Sequence, residues 1–397
     1  MDGKIVLKKG RDKPVRNRHP WLFSGAIARV DGRPQPGDLV QIVGSDGRFL
    51  AQAYFNPHSQ IRARILTWDS TPITEDFWRE ILRRAAQMRY SLGFTAETTA
   101  YRLFYGEADG LPGLIVDRYG DYLVMQCLTA GIAARKEMLV RLLVELFSPR
   151  GIIERSDASA RQQEGLETES GLVWGEAPPD EIEILENGRR FLVNLLTGHK
   201  TGFYLDQREN RAMLGQPHLV KGKSVLNAFA YTGGFAIYAA STDAGPITNI
   251  DTSANALMLA EKNIAQNGWM RPQDEYIQGN AFEVLRYYRD EGRTFDVVIL
   301  DPPKFAHSQR DVKKASRGYK DLNWLALRLL NPGGLLATFS CSGRISADLF
   351  QKIVFSASVD AGRDAQIIRH LWQGPDHPIL LSFPESAYLK GLLCRVM

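Results

Sequence analysis

Two apolar runs in the C-terminal half end in residues whose types could do chemistry. One reads Phe295-Asp-Val-Val-Ile-Leu-Asp301-Pro302-Pro303-Lys304-Phe305, and the other Gly334-Leu-Leu-Ala-Thr-Phe-Ser340-Cys341-Ser342-Gly343. In an open parallel sheet, ligands sit outside the carboxyl ends of the strands. A carboxylate stiffened by two prolines and a thiol between two serines would then share one crevice. That pairing suits methyl transfer to carbon 5 of a pyrimidine. A thiolate adds to carbon 6, carbon 5 becomes nucleophilic enough to attack a sulfonium methyl, a base removes the carbon-5 proton, and the thiolate leaves. An ordinary thiol, with pKa roughly 8.5, is mostly protonated near neutrality, so such a site must favour the anion. Lys304 is a source of positive potential, and Asp301 could bond the cytosine edge at N3 or the exocyclic amine.

A methyl donor needs its own pocket. Val225-Leu-Asn227-Ala-Phe229-Ala-Tyr231-Thr232-Gly233-Gly234-Phe235 reads as a strand turning into a helix, with paired glycines that let the backbone approach a ligand and a helix start with free N–H groups. Asn227, Phe229, Tyr231, Thr232 and Gly233 are the candidate donor-binding residues of this turn. Asp251 ends the next strand, where an acidic residue can accept from ribose hydroxyls. Asn280 follows the third strand, where a residue reading adenine would sit. Asp301 closes the set. The Gly-x-Gly-x-x-Gly of dinucleotide binders is absent from the turn. S-adenosylmethionine is therefore the expected cofactor, with a nicotinamide dinucleotide the distant alternative and no metal expected. Cys127 and Cys394 stand in apolar strand-like runs and read as core.

The elements that must position these residues follow from pattern. At 397 residues, 44% apolar and 24% charged, the chain is expected to form two or three globular domains. Its longest apolar stretches are strand-sized, so no membrane association is expected. The basic N-terminus lacks the apolar core of a secretory signal. An odd count of three cysteines points to a reducing compartment, hence the cytoplasm. Residues 1–72 read as all-β, with a hairpin at Ser45-Asp46-Gly47. An amphipathic helix over Glu75–Leu92, capped by Thr74, is expected to bury Phe77, Ile81, Leu82, Ala85 and Met88. With it, residues 73–183 read as a small α+β domain, including a helix over Ala133–Phe147. Residues 184–397 alternate strand and helix, which predicts a mostly parallel sheet. There the helix over 254–266 is capped by Ser253, and a helix is expected near 321–330. Two basic clusters are candidate phosphate contacts: Lys8, Lys9, Arg11, Arg16 and Arg18 near the N-terminus, and Lys313, Lys314 and Arg317 after the Asp-Pro-Pro-Lys element.

Taken together, these segments resemble the ribosomal RNA large subunit methyltransferase I family, the cytosine-C5 enzymes that carry a PUA domain. His19-Pro20-Trp21-Leu22-Phe23-Ser24-Gly25-Ala26-Ile27 is similar to the opening of the family's PUA-like barrel. Arg102-Leu-Phe-Tyr-Gly106-Glu107-Ala-Asp109-Gly110-Leu-Pro112-Gly113-Leu-Ile-Val-Asp117 resembles its central-domain signature. Thr197-Gly198-His-Lys200-Thr-Gly202-Phe203-Tyr204-Leu-Asp206-Gln207-Arg208 looks like the segment leading into the methyltransferase domain. The Asp301–Phe305 and Ser340–Ser342 motifs and Pro384-Glu385-Ser386-Ala-Tyr388-Leu-Lys390-Gly391 complete the likeness.

The resemblance implies a multidomain α/β architecture: a PUA-like RNA-binding β-barrel over 1–72, a central α+β domain over 73–183, and a class I, Rossmann-like methyltransferase domain with a seven-stranded sheet over 184–397. It implies 5-methylcytosine formation in 23S ribosomal RNA, naked or in a large-subunit particle, by a monomer or homodimer. Cys341 would be the nucleophile, Asp301 and Lys304 its neighbours, and Tyr204 and Asp206 would join the cofactor set. Asn280 departs from the Asp that many relatives of the fold carry, though an amide carbonyl can still accept from the adenine amine. Two other readings stay open at this level: methylation of a nitrogen, where Asp-Pro-Pro motifs also occur, and an RNA-binding assembly factor without catalysis. His19, Trp21 and the Asp109–Gly113 turn read equally as packing elements. Arg155, Asp157, Arg161 and Glu164 read as cleft-lining residues or as a surface ion network.

Overall fold

The computed structural model describes residues 3–94, 96–156, 158–306 and 308–397. The chain divides into two compact units: Met1–Ile184 with Val193–Leu205 and Pro375–Ser386, and Leu185–Leu192 with Asp206–Gly374 and Ala387–Met397.

The first unit holds two sheets. Strands β1 (Gly3–Leu7), β2 (Trp21–Phe23), β3 (Ile27–Gly32), β4 (Leu39–Val43), β5 (Phe49–Phe55) and β6 (Ile61–Thr67) form a six-stranded sheet in the order β2-β6-β5-β4-β1-β3. Gly47, at φ 81°, turns the hairpin between β4 and β5. Ile5, Leu7, Val40, Ile42, Ala53 and Ile65 alternate inward to make its core. Strands β7 (Ala100–Tyr105), β8 (Leu114–Tyr119), β9 (Tyr122–Cys127), β10 (Gly151–Ser156) and β11 (Glu169–Gly175) form a five-stranded sheet, in reverse chain order from β11 to β7. Two helices, Glu75–Ser91 and Lys136–Phe147, share its apolar core.

Sequence expectation and structure differ here in three ways. Thr74 occupies the N-cap position of the first helix but makes no side-chain cap bond. The buried face of that helix includes Trp78, Ala86 and Arg89, while Phe77 and Met88 are only partly covered. Arg89 is drawn inward by Asp109, which accepts from its guanidinium at 2.7 Å. The helix expected over Ala133–Phe147 is two pieces, Ala130–Ala133 and Lys136–Phe147. In the first piece Gly131 lies against the Tyr54 ring, where a Cβ would lie 2.1 Å from the ring carbon Cγ.

A hairpin of β12 (Ile182–Glu186) and β13 (Arg189–Val193) follows. The second unit is built on β14 (Val225–Ala228), β15 (Ile247–Asp251), β16 (Glu275–Gln278), β17 (Phe295–Leu300), β18 (Leu330–Ser340), β19 (Ala365–Trp372) and β20 (Lys390–Val396). Their order is β16-β15-β14-β17-β18-β20-β19, and β20 alone runs antiparallel to its neighbours. This is the mostly parallel sheet that the alternating pattern predicts, with the chain reversing direction between β16 and β17. The helix Ala254–Gln266 carries the expected cap, Ser253 accepting from the Ala256 N–H at 3.2 Å, and buries Leu257, Ala260 and Ile264. The helix expected near 321–330 begins much earlier and spans Val312–Leu329. Ala315, Tyr319, Leu322, Ala326 and Leu329 recur at helical spacing and are all buried. The run of lysines and arginines masked the first half of that pattern.

Arg211 and Glu186 tie the hairpin to the helix Arg208–Leu214 through two buried hydrogen bonds of 2.7 and 2.6 Å. Removing one partner of a buried pair strands the other charge, at a cost of about 3–5 kcal/mol. Arg211→Met is therefore expected to lower the urea midpoint of the second unit markedly, and the double variant Arg211→Met, Glu186→Gln to recover most of the loss.

Candidate active site

Register brings the chemistry-bearing residues to one edge of the second unit. Ala228 pairs with Ile250 on one side and with Leu300 on the other. Phe229, Asp251 and Asp301 are each the next residue along. Leu300 in turn pairs with Thr338, so Cys341 leaves β18 three positions beyond that pair. Neighbouring strands lie about 4.8 Å apart, which puts the strands bearing Asp251 and Asp301 roughly 10 Å from each other. The two apolar runs that end in Asp301 and Cys341 are thus adjacent parallel strands, as their sequence pattern implies.

The turn after β14 is tightly constrained. Phe229 and Tyr231 take left-handed backbone conformations at φ 63° and 47°, and Gly233 follows at 79°. Such angles in non-glycine residues cost energy and cluster at binding sites. A Cβ on Gly233 would meet Ala260 at 2.9 Å, and one on Gly234 would meet the Arg211 side chain at 2.9 Å, so the paired glycines are needed for close packing. Asp251 secures the turn from the next strand. Its Oδ2 accepts from the Tyr231 N–H and its Oδ1 from the Ser253 N–H, both at 2.9 Å. Each oxygen keeps a second lone-pair direction for a ribose hydroxyl. Thr232 Oγ1 is buried with no hydrogen-bond partner among the described residues, an orphaned polar atom beside the turn. Asn227 is buried in β14 and donates to Asn249 at 3.0 Å. Asn280 caps the helix Ala281–Asp290, its Oδ1 accepting from the Phe282 N–H at 2.9 Å. Asp206 accepts from the Tyr388 hydroxyl at 2.6 Å. Asp301 accepts from Gln207 at 3.0 Å, and Gln207 accepts from Asn210 at 2.6 Å. Tyr204 falls in the first unit, where its hydroxyl lies 3.3 Å from His199 and its ring 5.7 Å from the Lys200 ammonium.

The cysteines separate by environment. Cys127 and Cys394 are buried, and burial pushes both thiols up to about 12. Cys341 is partly exposed. Its two flanking serines are fully buried and clamped. Ser340 donates to the Tyr319 hydroxyl at 3.0 Å, and that hydroxyl lies 3.2 Å from Ser342 Oγ. The Ala306 N–H donates to Ser342 Oγ at 3.2 Å, tying in the segment that follows Asp301-Pro-Pro-Lys304. Burial holds the Tyr319 phenol above its ordinary range, so it stays neutral in this network. From β20, Lys390 donates to the carbonyls of Ser342 at 2.7 Å and Ile345 at 2.8 Å. Lys304 is exposed on its loop.

Tyr319 and Lys390 are the members of this arrangement that sequence reading did not assign to it. Tyr319 was hidden in a basic run, although its helical spacing from Ala315 and Leu322 marks it as inward-facing. Lys390 belongs to the Pro384–Gly391 motif, whose sequence assigns it no role.

The candidate phosphate contacts are divided between the units. Lys8, Lys9, Arg11, Arg16 and Arg18 are exposed on the first, with Arg16 paired to Asp12 at 2.5 Å and Arg18 lying 5.2 Å over the Trp68 ring. Lys313, Lys314 and Arg317 are exposed on the helix Val312–Leu329. Trp21 is a packing residue: it donates to Glu107 at 2.7 Å and meets the Phe383 ring at 4.7 Å. Asp109 is structural as well, accepting from Arg89 and from the Tyr105 N–H at 2.6 Å. Arg161 and Glu164 are not surface ions but interior ones. Glu164 accepts from Arg64 at 2.6 Å and Arg161 donates to the Cys127 carbonyl at 2.8 Å. Arg155 donates to the carbonyls of Leu195 and Gly198, and Asp157 lies outside the described residues.

Comparison with known proteins fits this geometry. Residues 5–68 match the PUA-like domain family, and residues 157–394 match the S-adenosylmethionine-dependent methyltransferase family. The strained turn, the orphaned Thr232 hydroxyl and the Asp251 carboxylate are the parts of this chain that fit such a donor. Asp251→Ala is accordingly expected to weaken S-adenosylmethionine binding in calorimetry by about 10–100-fold, roughly 1.4–2.8 kcal/mol. A putative methyltransferase from Streptococcus mutans shares the fold over 99% of both chains at 22% identity, with a TM-score of 0.85. A further solved structure, a putative methyltransferase complexed with SAH, superposes with a TM-score of 0.86 at 22% identity over 99% of both chains. Proteins named ribosomal RNA large subunit methyltransferase I are 49% identical in Shewanella amazonensis and 48% in Aliivibrio fischeri, over 100% of this chain and of theirs. With likeness of that extent running through both units, the chain belongs to the ribosomal RNA large subunit methyltransferase I family of S-adenosylmethionine-dependent methyltransferases.

Proposed function

We propose that this enzyme forms 5-methylcytosine in large-subunit ribosomal RNA, with Cys341 as a covalent nucleophile. The observation that carries the reading is the contrast among the thiols: Cys341 alone is partly exposed, at the carboxyl edge of the sheet beside Asp301. The names of the full-length relatives supply the substrate class. S-adenosylmethionine, when bound, supplies an electrophilic methyl group. The chain's own residues do the rest. Cys341 Sγ adds to carbon 6 of an extruded cytosine, and Asp301 bonds the base edge at N3 or the exocyclic amine. Once carbon 5 carries the methyl, loss of its proton to a base expels the thiolate and restores the ring. A base inside an RNA stack is out of reach, so single-stranded or splayed substrates are expected.

Within this reading, residues 1–72 are the PUA-like RNA-binding domain, 73–183 a central α+β domain with its linker helix and 184–397 the methyltransferase domain. The exposed lysines and arginines on both units supply phosphate contacts without reading sequence. The setting is a reducing one, in keeping with an odd count of three cysteines. Among the described residues no helix is long and apolar enough to cross a membrane.

Incubation with labelled donor and 23S ribosomal RNA, naked or in large-subunit particles, followed by nucleoside mass spectrometry, is expected to yield 5-methylcytosine. Cys341→Ala should lower the rate about 1,000-fold or more, equivalent to ~4 kcal/mol of barrier, while leaving donor binding intact. Full activity in that variant would instead indicate methylation of a nitrogen. RNA carrying 5-fluorocytosine should trap a stable protein–RNA adduct on Cys341, because fluorine is not eliminated as a proton is.

A further inference from the structure

Lys390 is buried, with 6% of its surface exposed, and no carboxylate among the described residues lies within ion-pair distance of it. Its hydrogen bonds go to two neutral carbonyls, those of Ser342 and Ile345. A buried charge without an ionic partner is costly, and proteins retain one where it compensates an anion. An ammonium has three donors, and the two carbonyls take only two. Lys390 lies opposite Ser340 across the β18–β20 pair, so its stem starts one residue before the nucleophile and its head closes on the residues just after it. The ionisable groups that it feels are Cys341, which favours its charged form, and Lys304, which opposes it. From the helix side Cys341 is felt by the neutral Tyr319 hydroxyl, and Arg344 on the same segment is exposed. Burial brings Lys390 down to about 8, which still leaves it protonated at neutral pH.

We propose that Lys390 is the positioning residue that holds Cys341 as a thiolate, pinning the segment after the nucleophile by its carbonyls and supplying the positive charge that the sulfur anion needs. This rests on the reading of Cys341 as nucleophile. The thiol proton passes to solvent while Lys390 keeps its own, so the pair formed is thiolate and ammonium. The effect is present while Lys390 is charged and fades as the pH rises past the point where it deprotonates. The charge reaches this segment from β20, and Cys341 itself stays partly exposed.

The test titrates the thiol in the full-length chain, without RNA or donor, by iodoacetamide alkylation quantified for the Cys341 peptide by mass spectrometry. The half-point of the rate against pH is expected below about 7.5, at least about one unit under an ordinary cysteine. Lys390→Met should raise it by about one unit or more and slow alkylation at pH 7 about tenfold. Lys390→Arg, which keeps the charge, should hold it low. A wild-type half-point at about 8.5 or above, or a sulfur that does not react, overturns the assignment without any variant. An unmoved half-point in folded Lys390→Met, checked by circular dichroism, does so as well. Methyl transfer is not read in this titration, so its outcome is independent of whether 5-methylcytosine is the product.

Discussion

The parallel register of β15, β14, β17 and β18 is the constraint from which the rest of the site follows. Because Ala228 is paired at once with Ile250 and Leu300, β15, β14 and β17 reach their carboxyl ends at nearly the same level. Beyond that level lie the strained Phe229–Gly233 turn, the Asp251 carboxylate and the Asp-Pro-Pro segment. A shift of one residue in any of these pairings would exchange inward and outward side chains along the whole strand. The buried valines, leucines and isoleucines of the four strands make such a shift expensive, so core packing and site geometry are secured by the same contacts.

The Cys341 segment is held differently. β18 ends at Ser340, and beyond it no ladder restrains the chain. Restraint comes from side chains: the Tyr319 hydroxyl, the two serines, the Ala306 N–H and the Lys390 ammonium. Tyr319 arrives on the helix Val312–Leu329, Ala306 on the loop after β17 and Lys390 on the antiparallel strand β20. The segment is thereby fixed from three directions while Cys341 as a residue stays partly exposed. Hydroxyl networks of this sort are rigid when fully satisfied.

The first unit follows another rule. Its interior contains ionic contacts, Arg89 with Asp109, Arg102 with Asp117 across the β7–β8 pair, and Arg64 with Glu164, whose partners are 100 positions apart. Segments Val193–Leu205 and Pro375–Ser386 return to the same unit and join that network: Thr201 donates to Asp117 at 2.6 Å, and the Asp376 backbone carbonyl accepts from Arg89 at 2.9 Å. Buried pairs of this kind are weak sources of net stability but strict about geometry. They give a unit made of two sheets and two returning segments a defined arrangement.

Much of this was legible in the amino-acid sequence because it depends on local rules. The period of apolar residues marks strands and helices, Ser253 and Asn267-Gly268 bracket a helix, and the residues after β17 and β18 stand out by type. Other features belong to tertiary structure. Arg161 and Glu164 read in sequence as cleft-lining residues or as surface ions and are interior, because their partners Cys127 and Arg64 come from other strands. Tyr319 and Lys390 look like members of a basic helix and a strand end, and only the order β17-β18-β20 brings both to Cys341. Sequence pattern encodes what each residue does to its own element. Which residues then meet across elements is decided by strand order and register, through hydrogen bonds and buried charge that no local spacing contains.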